Sequence, residues 1–193
     1  IGTGLYLTGN IGTFGIPVLK MSESNIIGNS SADYGGGIRI ADGSVQDCLF
    51  NNVNISENYA PQRGGGFYST QAETQIFTNC TFSGNVADDY GGAIYGGNNS
   101  FINCIIWNNT AGTQGNSIYS QGTVSYSNIQ GGWTGTGNID ADPLFVDSEN
   151  EDYHLTISST CIDAGDPDLD DDGQDYTTDT DDQDPDGTRL DMG

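Results

Sequence analysis

An asparagine followed six residues later by a glycine-rich signature recurs along most of this chain. The four copies begin at Asn29, Asn58, Asn85 and Asn109 and reach their first glycines at Gly35, Gly64, Gly91 and Gly115. A degenerate copy starts at Gly2, so successive first glycines lie 33, 29, 27 and 24 residues apart. Repeats of this length are typical of a solenoid, in which each turn buries its apolar face against its neighbours.

Short apolar segments separate the glycines and asparagines of each repeat. Ile102-Asn-Cys-Ile-Ile-Trp107 is one example, and these segments are rich in Ile, Phe, Tyr and Thr. They lack the 3.6-residue period of a helix, and bounded runs of this composition favour strands. The 29 glycines lie mostly at fixed repeat positions, which indicates corners with positive φ or close backbone approach. The sequence therefore predicts an all-β solenoid of about five to six turns, the first of them over residues 1–20.

Equivalent residues of stacked parallel strands lie about 4.8 Å apart, so each position of the repeat predicts a column of side chains. One position is apolar in every copy and should form an inner column: Ile38, Phe67, Ile94 and Ile118. The asparagines of the four copies should form another column at a corner. There, side-chain amides can hydrogen-bond to one another along the axis.

Small side chains mark a further predicted column. Its expected members are Ser24, Cys48, Cys80, Cys104 and Ser127. An asparagine follows Ser24, Cys80 and Cys104 by five residues but follows Cys48 by ten, which predicts an insertion at residues 51–55. We expect the thiols to pack as small buried groups, although stacked positions also lie at the lower edge of disulfide geometry. The spacing of the four cysteines does not predict a zinc site.

Charge is unevenly distributed along the chain. The net charge is -23; residues 1–139 hold eight acidic and three basic residues, whereas residues 140–193 hold nineteen acidic residues and one arginine. Such a chain is poorly suited to bind nucleic acid or an anionic membrane surface, and a cation is the expected partner. No stretch approaches the ~20 apolar residues of a membrane span. The start at Ile1, without Met or signal peptide, suggests the mature part of a longer product.

Two sets of motifs resemble a known group of proteins. Phe82-Ser-Gly-Asn85 followed by Gly91-Gly-Ala-Ile94 resembles the F-x-x-N and G-G-A-[ILV] repeats of polymorphic outer-membrane-type proteins. It also resembles the wider set of bacterial surface proteins with right-handed parallel β-helix repeats in the pectin-lyase-like superfamily. Residues 139–166 are similar to the segment that closes such domains, and Asp191-Met-Gly193 is similar to the start of its ending.

The resemblance implies a fold and a location. It implies a single-stranded right-handed parallel β-helix over residues 1–138 and an acidic, loop-rich closing segment over residues 139–193. It also implies a secreted or cell-surface protein in the extracellular space. It says little about activity, because one fold carries many functions.

The closing segment contains a candidate calcium loop. Asp168-Leu-Asp-Asp-Asp-Gly173 fits the first half of the D-x-D-x-D-G pattern, and Asp182-Gln-Asp-Pro-Asp-Gly187 repeats it. Because alternate carboxylates and one backbone carbonyl can wrap a hard cation, the predicted Ca²⁺ ligands are Asp168, Asp170, Asp172, Gln174, Asp179, Asp182, Asp184 and Asp186. No amphipathic helices flank the loops, which favours a solitary calcium loop over an EF-hand. The alternative is a disordered acidic tail.

Residues suited to catalysis are few. The basic residues are Lys20, Arg39, Arg63 and Arg189, and His154 is the only histidine. The G-H-G and R-x-K segments of hydrolases with the resembled fold are missing from the sequence. We therefore expect no catalytic residues and a protein that is not an enzyme. A polysaccharide-lyase-like module, with Arg39 and Arg63 close together, is the alternative.

Two kinds of function remain. The first is a structural or adhesive extracellular rod, stabilised by calcium. Since no polar cap precedes the first repeat, such rods could join end to end into a filament, but truncation of a longer chain explains the same feature. The second is a glycan-binding module, whose candidate aromatic residues are Tyr34, Tyr59, Tyr90, Trp107, Tyr119 and Trp133. Tyr34 and Tyr90 share a repeat position and should lie on one face two turns apart, where packing at the corner is the alternative role.

Overall fold

In a computed structural model, the described residues 4–7, 19–41, 47–70 and 74–193 are almost entirely β-structure and loops. Gly2 and most of the first turn expected over residues 1–20 lie outside them. Within the described ranges, one short 3₁₀ helix, Ser148–Asn150, accompanies sixteen strands. The strands are β1 Leu5–Leu7, β2 Leu19–Ile27, β3 Ile38–Ile40, β4 Cys48–Ser56, β5 Tyr59–Ala60, β6 Phe67–Ser69, β7 Thr74–Thr78, β8 Thr81–Ser83, β9 Val86–Ala87, β10 Ile94–Ile102, β11 Ile105–Trp107, β12 Thr110–Ala111, β13 Ile118–Ser125, β14 Asn128–Ile129, β15 Phe145–Asp147 and β16 Asp152–Leu155.

Strands from successive repeats pair in parallel, one turn above the next. β1, β3, β6, β10 and β13 form one such ladder, in which Ile38 lies opposite Leu5 and Phe67, and Ile94 lies opposite Phe67 and Ile118. The predicted parallel β-solenoid and its apolar inner column are thus confirmed. The described part of the solenoid has about four turns, against the five to six expected, and most of the first expected turn lies outside the described residues.

The interior of the solenoid is filled by stacked apolar side chains. Phe50, Phe77 and Phe101 lie on three consecutive turns, with ring centroids 4.6 and 5.1 Å apart and ring planes within 8° of parallel. Phe67 meets Phe77 edge to face at 5.2 Å. Offset and edge-to-face contacts are the favourable arrangements for aromatic rings. The core is therefore continuous along the axis.

The predicted cysteine column is only partly correct. Cys80 and Cys104 do stack, because Thr81 lies opposite Ile105 in the parallel register. Cys48 lies elsewhere, opposite Leu19 and Gln75. Its expected place is taken by Val53, which lies opposite Ser24.

The predicted insertion at residues 51–55 is therefore wrong. Val53 precedes Asn58 by five residues, the spacing found in the other copies. The position takes small side chains, serine and cysteine among them, and valine fits there as well as cysteine does. Chemical similarity to Cys80 and Cys104 was thus a poorer guide to register than the spacing to the asparagine.

The predicted asparagine column is confirmed. Asn29 Nδ2 donates to Asn58 Oδ1 at 3.1 Å, Asn58 Nδ2 to Asn85 Oδ1 at 3.0 Å, and Asn85 Nδ2 to Asn109 Oδ1 at 2.9 Å. Each acceptor oxygen also receives the backbone N–H of the asparagine one turn earlier. The amide chain thereby satisfies backbone groups at a corner where the strands do not pair.

The closing segment folds back against the outer flank of the last turns. Its antiparallel hairpin, β15–β16, is followed by loops that reach Asn103. The Asp166 N–H donates to Asn103 Oδ1 at 2.6 Å, and the Gly193 N–H donates to the Asn103 carbonyl at 2.7 Å. Cys161 and Met192 pack on outward-facing Ile105 in a second apolar cluster. The acidic loops are thereby held beside the solenoid.

Candidate functional site

The first acidic loop is shaped by aspartate side chains that accept backbone N–H groups. Gly173 N–H donates to both carboxylate oxygens of Asp168, at 3.3 and 3.2 Å. Asp172 N–H donates to Asp170 Oδ1 at 3.1 Å, and Gln174 N–H to Asp172 Oδ1 at 2.7 Å. Such Asx turns explain why Asp recurs on alternate positions here. They curl residues 168–174 so that several carboxylates face a common space.

A carboxylate from outside this loop completes the group. Asp182 is 0% exposed, and a carboxylate oxygen of Asp168, of Asp170 and of Asp182 all lie within 4.8 Å of one another. Asp182 Oδ1 accepts the Leu169 N–H at 2.6 Å, whereas buried Oδ2 has no hydrogen-bond partner among the described residues. Burial, together with the nearby Asp170, Asp179 and Asp168, raises the pKa of Asp182. The arrangement is a buried acceptor facing two further carboxylates.

Two other sets of three carboxylates lie close by. Asp170, Asp172 and Asp179 form one, which shares Asp170 with the first group, and Asp163, Asp184 and Asp191 form the other.

The second D-x-D-x-D-G copy is therefore divided. Asp182 joins the first loop, Asp184 joins Asp163 and Asp191, and Asp186 belongs to neither group. Asp186 Oδ1 instead accepts the N–H and hydroxyl of Thr188, which lowers its pKa. The amide side chain of Gln174 donates to Asp172 Oδ2 at 2.7 Å. Calcium binding by these residues remains a prediction.

Aromatic and basic side chains occupy two adjacent columns on the outer face. Tyr34, Arg63 and Tyr90 follow one another in one column, which confirms that Tyr34 and Tyr90 share a face two turns apart. Arg39, Tyr68, Tyr95 and Tyr119 form the neighbouring column.

The rings and guanidinium groups of these columns pack on each other. The ring of Tyr68 stacks on Tyr34 at 4.8 Å and on Tyr95 at 5.5 Å, and Tyr95 stacks on Tyr119 at 5.3 Å. The Arg39 guanidinium lies 5.2 Å from the Tyr34 ring, and that of Arg63 lies 4.9 Å from the Tyr95 ring. The aromatic faces inside the columns are thus largely used in packing.

Residues 4–141 match the protein family described as the right-handed β-helix region. The chain belongs to the right-handed β-helix family. This match also gives the hand of the coil, in agreement with the resemblance of the repeats. No curated protein and no solved structure gave a significant match. Within the described part of the chain, no helix is long and apolar enough to cross a membrane.

Two of the side chains considered for catalysis in this β-helix, Arg63 and His154, have local partners. Arg63 Nη1 donates to the Tyr95 hydroxyl at 3.0 Å. The His154 ring is 91% exposed, and its Nδ1 lies 2.6 Å from Asp152 Oδ1, a contact that lowers the pKa of Asp152. His154 also borders a cleft of about 610 Å³ between the closing segment and the solenoid flank, where Glu23 and Glu151 are further lining residues.

Tyr68 and Tyr95 were missed by the sequence reasoning. A signal was available, since a tyrosine follows the first glycine of the signature by four residues in three copies, at Tyr68, Tyr95 and Tyr119. Arg39 holds the same place in an earlier copy. Position relative to the glycine was therefore a better guide than residue type. No such signal marked Asp182 as a partner of Asp168. Asp182 lies 13 residues after Leu169 in the sequence, and only the path of the loop returns it to hydrogen-bond with the Leu169 N–H.

Proposed function

We propose that this β-helix is a non-enzymatic structural or adhesive protein of the extracellular space whose closing segment is stabilised by Ca²⁺. The observation that carries the calcium proposal is the buried, unpartnered Oδ2 of Asp182 beside the carboxylates of Asp168 and Asp170. The structural role is supported by the continuous phenylalanine core and the asparagine column, which make a self-supporting rod.

The set of three carboxylates formed by Asp168, Asp170 and Asp182 needs a positively charged partner. Burying an ionised carboxylate without compensation is costly, and here three carboxylates converge in a segment with nineteen acidic residues and one arginine. That arginine, Arg189, has its guanidinium 5.4 Å from the Tyr126 ring. Ca²⁺ takes six to eight oxygen ligands with flexible geometry. Asp168, Asp170 and Asp182 would supply part of that shell, and backbone carbonyls or water would complete it.

Calcium-dependent thermal unfolding tests this assignment. If Ca²⁺ is present at about 100 times its dissociation constant, it should stabilise the protein by about 2.7 kcal/mol. For a chain of this size that corresponds to a rise in Tm of about 5–10 °C. Magnesium, which demands a tighter octahedral shell, should give a smaller rise.

A pair of matched variants makes the test specific. Asp182→Asn should abolish most of the calcium-dependent rise, because it removes the buried charge. Asp186→Asn removes one acidic charge from the same segment but lies outside the carboxylate groups, so its rise should resemble that of the wild type. Equal rises in both variants, or no rise in the wild type, would refute the proposed site.

End-to-end association belongs to the same proposal. Within the described part of the chain, β1 pairs only with β3 and β13 pairs only with β10, so each has one unpaired edge. Such edges can pair with another chain. Sedimentation and negative-stain electron microscopy with calcium and with chelator test the idea. Filaments that lengthen with calcium are expected, and a monodisperse monomer in both buffers would remove the filament while leaving the calcium site intact.

A further inference from the structure

The tyrosine column ends at Tyr119. The ring of Tyr119 stacks on Tyr95 with its plane within 8° of parallel, yet its side chain is 40% exposed. The Tyr90 ring also lies near Tyr119, with its centroid 5.0 Å away and its plane tilted by 48°. Among the described residues no second ring stacks parallel to Tyr119, and strand β13 has no neighbour beyond β10. Tyr119 therefore presents an aromatic face that the column itself does not cover.

A recess of about 380 Å³ opens beside this ring. It is lined by Tyr95, Gly96, Gly97, Ile118, Tyr119, Ser120 and Gln121. Gly96 and Gly97 have φ of +74° and +77° and form an irregularity in the β10–β13 register. A Cβ on Gly96 would clash with the Ser69 carbonyl oxygen, and one on Gly97 would clash with Gln75 Oε1. Glycine is thus needed at both positions for the backbone to take this conformation, and the backbone of Gly96 and Gly97 forms one wall of the recess.

The chemistry of the lining suits an uncharged, hydroxyl-rich ring. None of the described residues that line the recess is charged, although the chain carries a net charge of -23. The Tyr119 ring offers an aromatic face, and the Ser120 hydroxyl and the Gln121 amide offer hydrogen-bond donors and acceptors. Pockets that combine an apolar wall with a few polar groups bind small molecules, and the recess falls in the usual size range of about 300–1,000 Å³.

We propose that this recess is a binding site for a neutral pyranose, such as the terminal unit of a neutral glycan. The C–H face of the sugar would lie on the Tyr119 ring, and its hydroxyls would contact Ser120 and Gln121. An acidic sugar is disfavoured, because none of the described lining side chains balances its charge and the protein as a whole repels anions. The site is independent of the calcium centre, so either can fail without the other.

Saturation-transfer difference NMR tests the proposal with the methyl glycosides of glucose, galactose, mannose and N-acetylglucosamine. At least one should receive saturation, strongest on the C–H protons of one sugar face. Methyl glucuronide should bind more weakly than the glucoside. Absence of transfer to all four neutral probes, or preference for the glucuronide, would overturn the proposal.

Variants locate the site on the protein. Tyr119→Ala should weaken binding of the best probe about tenfold, the loss expected when a central aromatic anchor is truncated. Tyr59→Ala is a matched control, because Tyr59 is 38% exposed and does not line the recess. Gln121→Ala should also weaken binding, and because Gln121 is exposed the substitution should leave the fold intact. Retained binding in Tyr119→Ala, or equal loss in Tyr59→Ala, would place the sugar elsewhere.

Discussion

The asparagine column should make a large contribution to stability, which the variant Asn85→Ala measures. Asn85 is fully buried and its side chain takes part in four hydrogen bonds. Its Oδ1 accepts the backbone N–H and the side-chain N–H of Asn58, and its Nδ2 donates to the Ile55 carbonyl and to Asn109 Oδ1. At a net ~1 kcal/mol for each bond, alanine should reduce the free energy of unfolding by about 4 kcal/mol.

Urea unfolding followed by circular dichroism gives the comparison. With an m-value of about 1–3 kcal/mol/M, the midpoint should fall by between about 1 and 4 M. Asn98→Ala is the control, because Asn98 is an exposed asparagine in strand β10 and its loss should change stability by less than about 0.5 kcal/mol. If Asn85→Ala differed from Asn98→Ala by less than about 1 kcal/mol, the column would not be a principal source of stability.

Two further predictions concern ionisable groups. Burial, and to a smaller extent the charge of Asp47, raises the pKa of the Cys48 thiol to about 12. All four cysteine thiols are buried and free, so the native protein should not react with a thiol reagent at pH 8. In concentrated guanidinium chloride all four thiols should react. Burial also raises the pKa values of Asp166, Asp182 and Asp184. These carboxyls bind protons more tightly in the folded state than in the unfolded state. With calcium removed by a chelator, the Tm of the protein should therefore rise as the pH falls from 7 through the raised pKa values towards the unfolded value of about 3.9. The calcium-bound protein should instead lose stability over this range, because protons displace the ion. A fall in Tm of chelated protein over that window, or fast thiol reaction of the native state, would contradict the respective argument.

The repeat explains how much of the fold the sequence predicted. Positions counted from the glycine signature, such as Ile94 and Asn85, were placed correctly, because a parallel stack converts equal spacing into one column. Cys48 was misplaced because residue similarity was given more weight than spacing.

Residues outside the repeat were harder to place. The partnership of Asp182 with Asp168 depends on the path of an irregular loop, and no periodicity encodes that path. The recess beside Tyr119 depends on a local irregularity at Gly96 and Gly97, which interrupts the regular repeat. In both cases tertiary contacts, rather than local pattern, decide the geometry.

The calcium centre is tested most directly by a crystal structure of the protein grown with CaCl₂, with anomalous scattering data collected to locate the ion. We predict an anomalous peak about 2.3–2.6 Å from Asp182 Oδ2, for an ion that Asp168 and Asp170 also coordinate, and no such peak in Asp182→Asn crystals. An absence of density at this position, with Asp182 Oδ2 bonded to a protein donor or protonated against a neighbouring carboxylate, would contradict it.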